Sequence, residues 1–322
     1  MPNTVRNNTI FAILSTLLAL LLVTAISCAP PTTQPQDTEP STPDQQAVRV
    51  TDDIGRTVIM EKVPEKIVSL APSNTEMLFA LGLGERVVGV TDFCNYPPET
   101  EQKAKVGGFD TPDIEKIVAL DPDLILATSI HEKEAIPALE DKDLTVLGVN
   151  PQNLNEILDS IEMVGKVTGK QDQASALVND MKERINAVTS KTTDLEKKPR
   201  VLYVTWHDPL WSVGSGTLIH ELIIKAGGNN IFQDITGHKT VDIETVIERN
   251  PEVIIACTEH GGAKDKPLEW AKTEKLLEDT DARKNDRIYQ VNADLVSRAS
   301  PRIVEGLEWM AHFIHPKIFS KP

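Results

Sequence analysis

Aromatic and polar side chains recur in segments that follow short apolar runs of this sequence. Aromatic faces bury large apolar areas, while amide, imidazole and carboxylate groups orient a ligand through hydrogen bonds. Together these residue types predict a site for a large, flat ligand with a polar edge. The candidate ligand-binding residues are Phe93, Asn95, Tyr96, Phe109, Trp206, His207, Asp208, Trp211, Glu259, Asp294 and Arg298.

The elements that must position these residues form an α/β pattern. Short apolar runs alternate with helical patterns, which predicts mostly parallel sheets flanked by helices. Ligands of open parallel sheets bind beyond the carboxyl ends of the strands, and the candidate residues follow those ends. The predicted strands are 67–71, 86–91, 123–128, 144–150, 201–206, 253–258 and 287–293.

The chain also repeats itself, which predicts two similar lobes. The segment PDIEKIVALDPDLILAT (112–128) matches VDIETVIERNPEVIIACT (241–258), and TEMLFALG (75–82) matches HELIIKAG (220–227). A third pair joins KIVSLAPS to RVLYVTWHDP. Two copies of one lobe should face each other across a cleft.

Two helical patterns, 152–167 and 171–192, lie between the copies. The second contains neither Pro nor Gly and would span about 33 Å, which favours one long, rigid connector. We therefore expect lobes at 48–168 and 194–322, joined by a connecting helix at 169–193.

The first residues have the pattern of an export signal. Arg6 precedes an apolar run from Ile10 to Ile26, and small residues precede Cys28 as in a lipobox, although Ala25 replaces the usual Leu. We expect a signal peptide at 1–27 and a lipidated Cys28 that opens a disordered, Pro-rich tether at 28–47. The protein is then anchored to a membrane outside the cytoplasm, and the other cysteines, Cys94 and Cys257, should be free thiols in different lobes.

Composition and motifs restrict the function. The net charge of −15, without a basic run, argues against binding to nucleic acid or to an anionic membrane surface. An enzyme is disfavoured because the sequence lacks a nucleophile-elbow motif and a P-loop lysine. A tethered structural protein stays open, as does a metal site built from His131, His207 and His260 with Glu259 and Asp294.

The segments IVSLAPSNTEMLFALGLGERVVGVTDFCNYPPE and VGGFDTPDIEKIVALDPDLILA resemble the helical-backbone class of ABC-importer substrate-binding proteins. That class binds cobalamin, iron siderophores and haem, and the turn GVTDFCNYPPE followed by KVGGF is most similar to its cobalamin binders. The resemblance extends through DPLWSVGSGTLIHELIIKAGGNNIF and ASPRIVEGLEWMAHFIHP. It implies a monomer without a cofactor of its own that carries a corrinoid to a permease with ATPase subunits; haem or a siderophore is the alternative ligand.

The resemblance also implies an exposed glutamate on each lobe that docks onto arginines of the permease. The matching positions are Glu76 and Glu221. A local alternative exists for Glu76, because Ser73 stands three residues earlier in a capping-box pattern. It does not extend to Glu221, since Leu218 cannot cap and Thr217 stands four residues earlier.

Overall fold

The computed structural model describes residues 47–258 and 266–322. It begins with an antiparallel hairpin of β1 (Val48–Thr51) and β2 (Thr57–Met60), which is absent from the predicted strands. Among the described residues, no helix is both long and apolar enough to cross a membrane.

The first lobe is built on a parallel sheet with the strand order β5-β4-β3-β6-β7. Its strands alternate side chains between two covered faces, so that Ile67 and Val68 enter different apolar clusters. The strands are β3 (Ile67–Ser69), β4 (Val87–Val90), β5 (Ala104–Lys105), β6 (Leu124–Ala127) and β7 (Val146–Gly148). The helices are α1 (Pro72–Ala80), α2 (Ile114–Ala119) and α3 (Ala135–Glu140).

Two helices leave this lobe, and their positions agree closely with the prediction. Helix α4 (Leu154–Thr168) ends at Gly169, whose φ of 71° is the left-handed conformation that glycine adopts without strain. Helix α5 (Gln171–Thr192) follows and packs against α4. The predicted 22-residue connector is therefore confirmed as one helix.

The second lobe has a parallel sheet in the order β11-β8-β13-β14 and an antiparallel sheet in the order β12-β10-β9. The predicted strand at 201–206 is two strands, because the chain leaves the parallel sheet after Val204. The strands are β8 (Arg200–Val204), β9 (Trp206–His207), β10 (Leu210–Val213), β11 (Asn229–Asn230), β12 (His238–Thr240), β13 (Val253–Cys257) and β14 (Ile288–Val291). The helices are α6 (Leu218–Lys225), α7 (Ile243–Arg249), α8 (Lys266–Thr273), α9 (Asp281–Lys284), α10 (Ala293–Ser297) and α11 (Ile303–Ile314).

One apolar cluster runs through both lobes. It joins one face of the first sheet, represented by Ile67 and Leu126, to one face of the second, represented by Tyr203 and Ile255. Side chains of α4, α5 and α11 complete the same cluster. Because close-packed interiors resist deformation, a core shared by both lobes favours a fixed separation between them.

The two predicted free thiols lie in different lobes, as expected. Neither Cys94 nor Cys257 forms a disulfide, and both are buried. The Cys94 sulfur lies 3.2 Å from the Thr75 hydroxyl, and the Cys257 sulfur lies 3.2 Å from the Thr205 carbonyl oxygen. Both thiols therefore lie beneath the surface of their lobes.

Candidate ligand-binding cleft

A cavity of about 1190 Å³ opens between the lobes. The first lobe contributes segments that directly follow β3, β4, β6 and β7, which places the cavity at the carboxyl ends of a parallel sheet. The second lobe contributes the start of α6, the turn before β12 and the segment after α10. The lining residues are Ala71, Pro72, Ser73, Asp92, Phe93, Asn95, Phe109, Asp110, Thr128, Ser129, Ile130, Asn150, Pro151, Gln152, Gly216, Thr217, Leu218, Ile219, Gly237, His238, Ser297, Arg298 and Ala299.

Four predicted residues line this cavity, namely Phe93, Asn95, Phe109 and Arg298. Most of the other lining residues are not among the predicted ones. Asn150, Pro151 and Gln152 follow β7 and could have been found by applying the strand-end rule to that strand. The lining at 216–219 carries no comparable pattern, because it begins a helix rather than ending a strand.

The wall formed by the first lobe carries exposed apolar side chains. Phe93 has 59% of its surface exposed and Ile130 has 52%, while Phe109 is half-buried beside them. Exposed apolar side chains that share one concave surface are typical of a ligand-binding groove. This wall suits a ligand with an extended apolar face.

His131 is buried and bonds to the backbone of Phe109, a residue of this wall. Its Nε2 lies 2.6 Å from the carbonyl oxygen of Phe109, and the backbone N–H of Thr128 donates to Nδ1 at 3.0 Å. The proton is therefore on Nε2, which donates to Phe109, and the ring is neutral. With both nitrogens engaged, the imidazole holds Phe109 in place and is not available as a metal ligand.

Glu76 is the centre of a buried cluster between the lobes, and the expectation that it is exposed is wrong. The residue is only 3% exposed. Its carboxylate accepts from Arg302 at 2.6 and 2.9 Å, from Arg298 at 2.8 Å and from the Ser300 hydroxyl at 2.6 Å. Since a buried carboxylate is stable only when paired and hydrogen-bonded, these contacts explain its position.

The same cluster contains several predicted ligand-binding residues. Asn95 accepts from Arg298 at 2.7 Å and donates to Asp294 at 3.2 Å, and Asp294 pairs with Arg298 at 3.1 Å. The guanidinium of Arg302 lies 3.6 Å from the centre of the Tyr96 ring. We call Glu76, Asn95, Tyr96, Asp294, Arg298, Ser300 and Arg302 the inter-lobe cluster.

The capping-box alternative for Glu76 is also not observed. Helix α1 begins at Pro72, with Ala71 as its N-cap and no side-chain cap. Ser73 therefore lies inside the helix and cannot cap it.

Glu221 has a partner within the fold as well. Thr217 caps α6 by accepting from the backbone N–H of His220 at 3.1 Å, so Glu221 lies one position past a capping box, as expected. Its carboxylate accepts the backbone N–H of Leu154 at 2.9 Å and lies 3.6 Å from Lys225. The side chain is 24% exposed. Glu221 thus links the start of α4 to α6.

The remaining aromatic candidates form a separate patch on β9 and β10. Trp206 pairs with Trp211 across the strands, and its indole N–H donates to the Asp208 carbonyl at 2.8 Å. Its ring centre lies 4.9 Å from that of His207, with the two ring planes tilted by 48°. None of these four residues lines the cavity. The patch nevertheless borders it, because β10 also pairs with β12, where His238 is a lining residue. Glu259, like His260, lies outside the described residues.

Within residues 47–258 and 266–322, no group of three or more His, Cys, Asp or Glu side chains is arranged to hold a metal ion. The cleft is defined instead by an apolar wall and by a paired set of charges.

The chain belongs to the periplasmic binding protein family, whose model matches residues 67–295. It is an ABC-type substrate-binding protein of the two-lobed class that includes vitamin B12-binding and haem-binding members. It is 34% identical to an uncharacterized ABC transporter substrate-binding lipoprotein, YvrC, from Bacillus subtilis, over 94% of this chain and 97% of that protein.

Two solved structures give the same fold with different ligands in their descriptions. A possible iron-binding periplasmic protein from Staphylococcus epidermidis is 32% identical, with a TM-score of 0.69 over 79% of this chain and 100% of that one. The periplasmic vitamin B12-binding protein of Vibrio cholerae is 29% identical, with a TM-score of 0.67 over 78% and 96%.

The buried position of Glu76 predicts unequal effects on stability. Glu76→Ala leaves two partly buried guanidinium groups without their carboxylate and should lower the free energy of unfolding by about 3–5 kcal/mol. Glu221→Ala removes one bond to a helix N-terminus and should cost about 1 kcal/mol. Urea denaturation of both variants measures the difference, and equal losses would contradict the role of the inter-lobe cluster.

His131 predicts a dependence of stability on pH. Burial lowers its pKa below the ordinary value of 6.5, and the bond to Phe109 offsets only part of that effect. Its stabilising contribution is complete above pH 6.5 and is lost as the pH falls, because the unfolded chain then binds the proton more readily. Denaturation at pH 7.5 and pH 5 should show a larger loss for the wild type than for His131→Gln; an equal loss would argue against a neutral, buried ring.

Proposed function

We propose that this protein captures a corrinoid outside the cytoplasm and delivers it to an ABC permease. The observation that carries the proposal is the cavity between the lobes. Its volume of about 1190 Å³ exceeds the roughly 300–1,000 Å³ of ordinary small-molecule sites. Its walls combine exposed aromatic rings with polar turns, which matches a large macrocycle that has an apolar face and amide side chains at its rim.

The binding mode follows from the positions of the side chains. Phe93 and Phe109 would cover one face of the macrocycle, and Asn95 and Arg298, which also line the cavity, would meet its rim amides. The Vibrio cholerae relative, described as a vitamin B12-binding protein, supports this assignment. Because one core joins both lobes, the cleft is largely preformed and closes little around its ligand.

The other predicted contacts belong to the edges of this site. Trp206, His207, Asp208 and Trp211 border the wall of the second lobe and would meet a part of the ligand that projects from the cavity. Tyr96 and Asp294 act through the inter-lobe cluster. Glu259 completes the proposed set.

An iron-bearing ligand, haem or a ferric siderophore, is the second candidate. The description of the Staphylococcus epidermidis relative as a possible iron-binding protein favours it. Haem propionates and siderophore carboxylates are anionic, so these ligands would need an unpaired cation.

Calorimetric titration with cyanocobalamin, haem and ferric siderophores tests the ligand class. One-to-one binding of cyanocobalamin, tighter than that of the iron ligands, is the expected result. Phe93→Ala should weaken it by about 1–3 kcal/mol, because the ring lies on the ligand face. Leu276→Ala, which also truncates an exposed apolar side chain but away from the cavity, serves as the control. A heat of binding with haem but not with cyanocobalamin, or an unchanged affinity of Phe93→Ala for cyanocobalamin, would contradict the proposal.

Location and partner complete the proposed function. A signal peptide at 1–27, lipidation of Cys28 and a tether at 28–47 would hold the protein at the membrane beside its permease. YvrC, a relative across 94% of this chain, is described as a lipoprotein, which supports the anchor. We also propose that the protein is a monomer.

Docking to the permease requires acids that are exposed on both lobes. Glu76 is buried and is not one of them, whereas Glu221 keeps part of its surface exposed. The Asp-Ile-Glu repeat supplies a better matched pair. Glu115 lies in the first turn of α2 and Glu244 in the first turn of α7, and both are exposed. A permease that contacts both lobes would meet these repeat-related acids together.

Reversing that pair tests the docking surface. The double variant Glu115→Lys/Glu244→Lys should bind cyanocobalamin normally, because neither residue lines the cavity. It should reduce ligand-stimulated ATP hydrolysis by the cognate permease about tenfold or more, since like charges would then meet its arginines. Glu196→Lys/Glu278→Lys changes the net charge equally at exposed positions outside the repeat and should leave hydrolysis intact. Equal hydrolysis in both double variants would exclude the pair.

A further inference from the structure

Among the described residues that line the cavity, Arg298 is the only lysine or arginine. Its side chain is only 9% exposed, and its contacts are with acids and an amide of the inter-lobe cluster. One terminal nitrogen donates to Glu76 at 2.8 Å and to Asn95 at 2.7 Å. The other lies 3.1 Å from Asp294. The guanidinium of Arg298 is therefore already paired with carboxylates of the protein.

Among the described residues, the charges of the inter-lobe cluster balance. Glu76 and Asp294 carry two negative charges, and Arg298 and Arg302 carry two positive ones. Arg302 donates two hydrogen bonds to Glu76 and does not line the cavity. No unpaired cation of the cluster thus faces the ligand.

The rest of the described lining adds negative charge. Asp92 and Asp110 both line the cavity and are exposed. A carboxylate on an incoming ligand would meet these two acids and would have to compete with Glu76 and Asp294 for Arg298. Like charges in a partly desolvated site repel, whereas an uncharged amide escapes that cost and still accepts or donates hydrogen bonds.

We propose that Glu76 is a specificity-determining residue that holds Arg298 with its charge cancelled, so that the cleft selects macrocycles with an uncharged rim over those that carry carboxylates. Glu76 does not line the cavity and acts through Arg298. This inference deepens the proposed function and rests on it, because it explains how a corrinoid with amide side chains would be preferred to haem with its two propionates.

The test compares two probes that differ by one charge. Cyanocobalamin and its monocarboxylic acid, in which one propionamide is hydrolysed, share a ring and a shape. The wild type should bind the amide about tenfold more tightly than the acid. Glu76→Gln keeps the volume of the side chain but leaves Arg298 with Asp294 as its carboxylate partner in the inter-lobe cluster, which then carries a net positive charge. The affinity ratio should therefore shift toward the acid by about tenfold, the effect of one charge-assisted hydrogen bond. A purely structural role would weaken both probes equally and leave the ratio unchanged.

Two further variants keep the result interpretable. If Glu76→Gln does not fold, Asp294→Asn removes the other carboxylate from Arg298 and should shift the ratio in the same direction. Glu308→Gln is the matched control, because it removes the carboxylate partner of Arg184 between α5 and α11, away from the cavity. It should leave the ratio unchanged.

The outcomes separate this inference from the proposed function. Corrinoid binding with an unchanged ratio in Glu76→Gln and Asp294→Asn overturns the inference alone. If the wild type binds only iron porphyrins, the same comparison is made with haem and its dimethyl ester: preference for the ester supports the inference while the corrinoid assignment fails. Preference for free haem overturns both, and so does the binding of neither ring.

Discussion

The burial of one carboxylate organises the meeting of the two lobes. Glu76 belongs to helix α1 of the first lobe, yet the side chains that bind its carboxylate come from residues 298–302 of the second lobe. A buried charge without partners would cost several kcal/mol, so the lobes must approach closely enough for two guanidinium groups to reach it. That approach also places Arg298 at the cleft and Arg302 over Tyr96.

The apolar core reinforces the same geometry. One cluster of buried side chains passes from the first sheet through α4, α5 and α11 to the second sheet. Because dense packing leaves few alternative arrangements, Phe93 and Ile130 can remain exposed on the cleft wall without the wall collapsing. The bond from His131 to the Phe109 carbonyl holds the neighbouring segment of that wall.

The internal repeat explains the architecture but not the roles of individual residues. Glu76 and Glu221 occupy matching positions in the two copies. One pairs with arginines of the opposite lobe, and the other binds a backbone N–H at the start of α4. Their different surroundings, rather than their shared origin, decide what each carboxylate does. Glu115 and Glu244 also occupy matching positions, in the first turns of α2 and α7, and both are exposed.

The amino-acid sequence by itself determined most strands of the two parallel sheets and their arrangement in two lobes. Apolar periodicity and helix-breaking residues act over a few positions, so the 22-residue connector and the strand ends that carry Phe93 and Asn95 could be predicted. Only the tertiary structure decided the environment of Glu76, whose partner Arg298 is 222 positions away. The tertiary structure also places Trp206 and Trp211 on a sheet that borders the cavity, and not among the lining residues. Local patterns set secondary structure, but burial and charge pairing depend on contacts between distant segments, and no local spacing encodes those contacts.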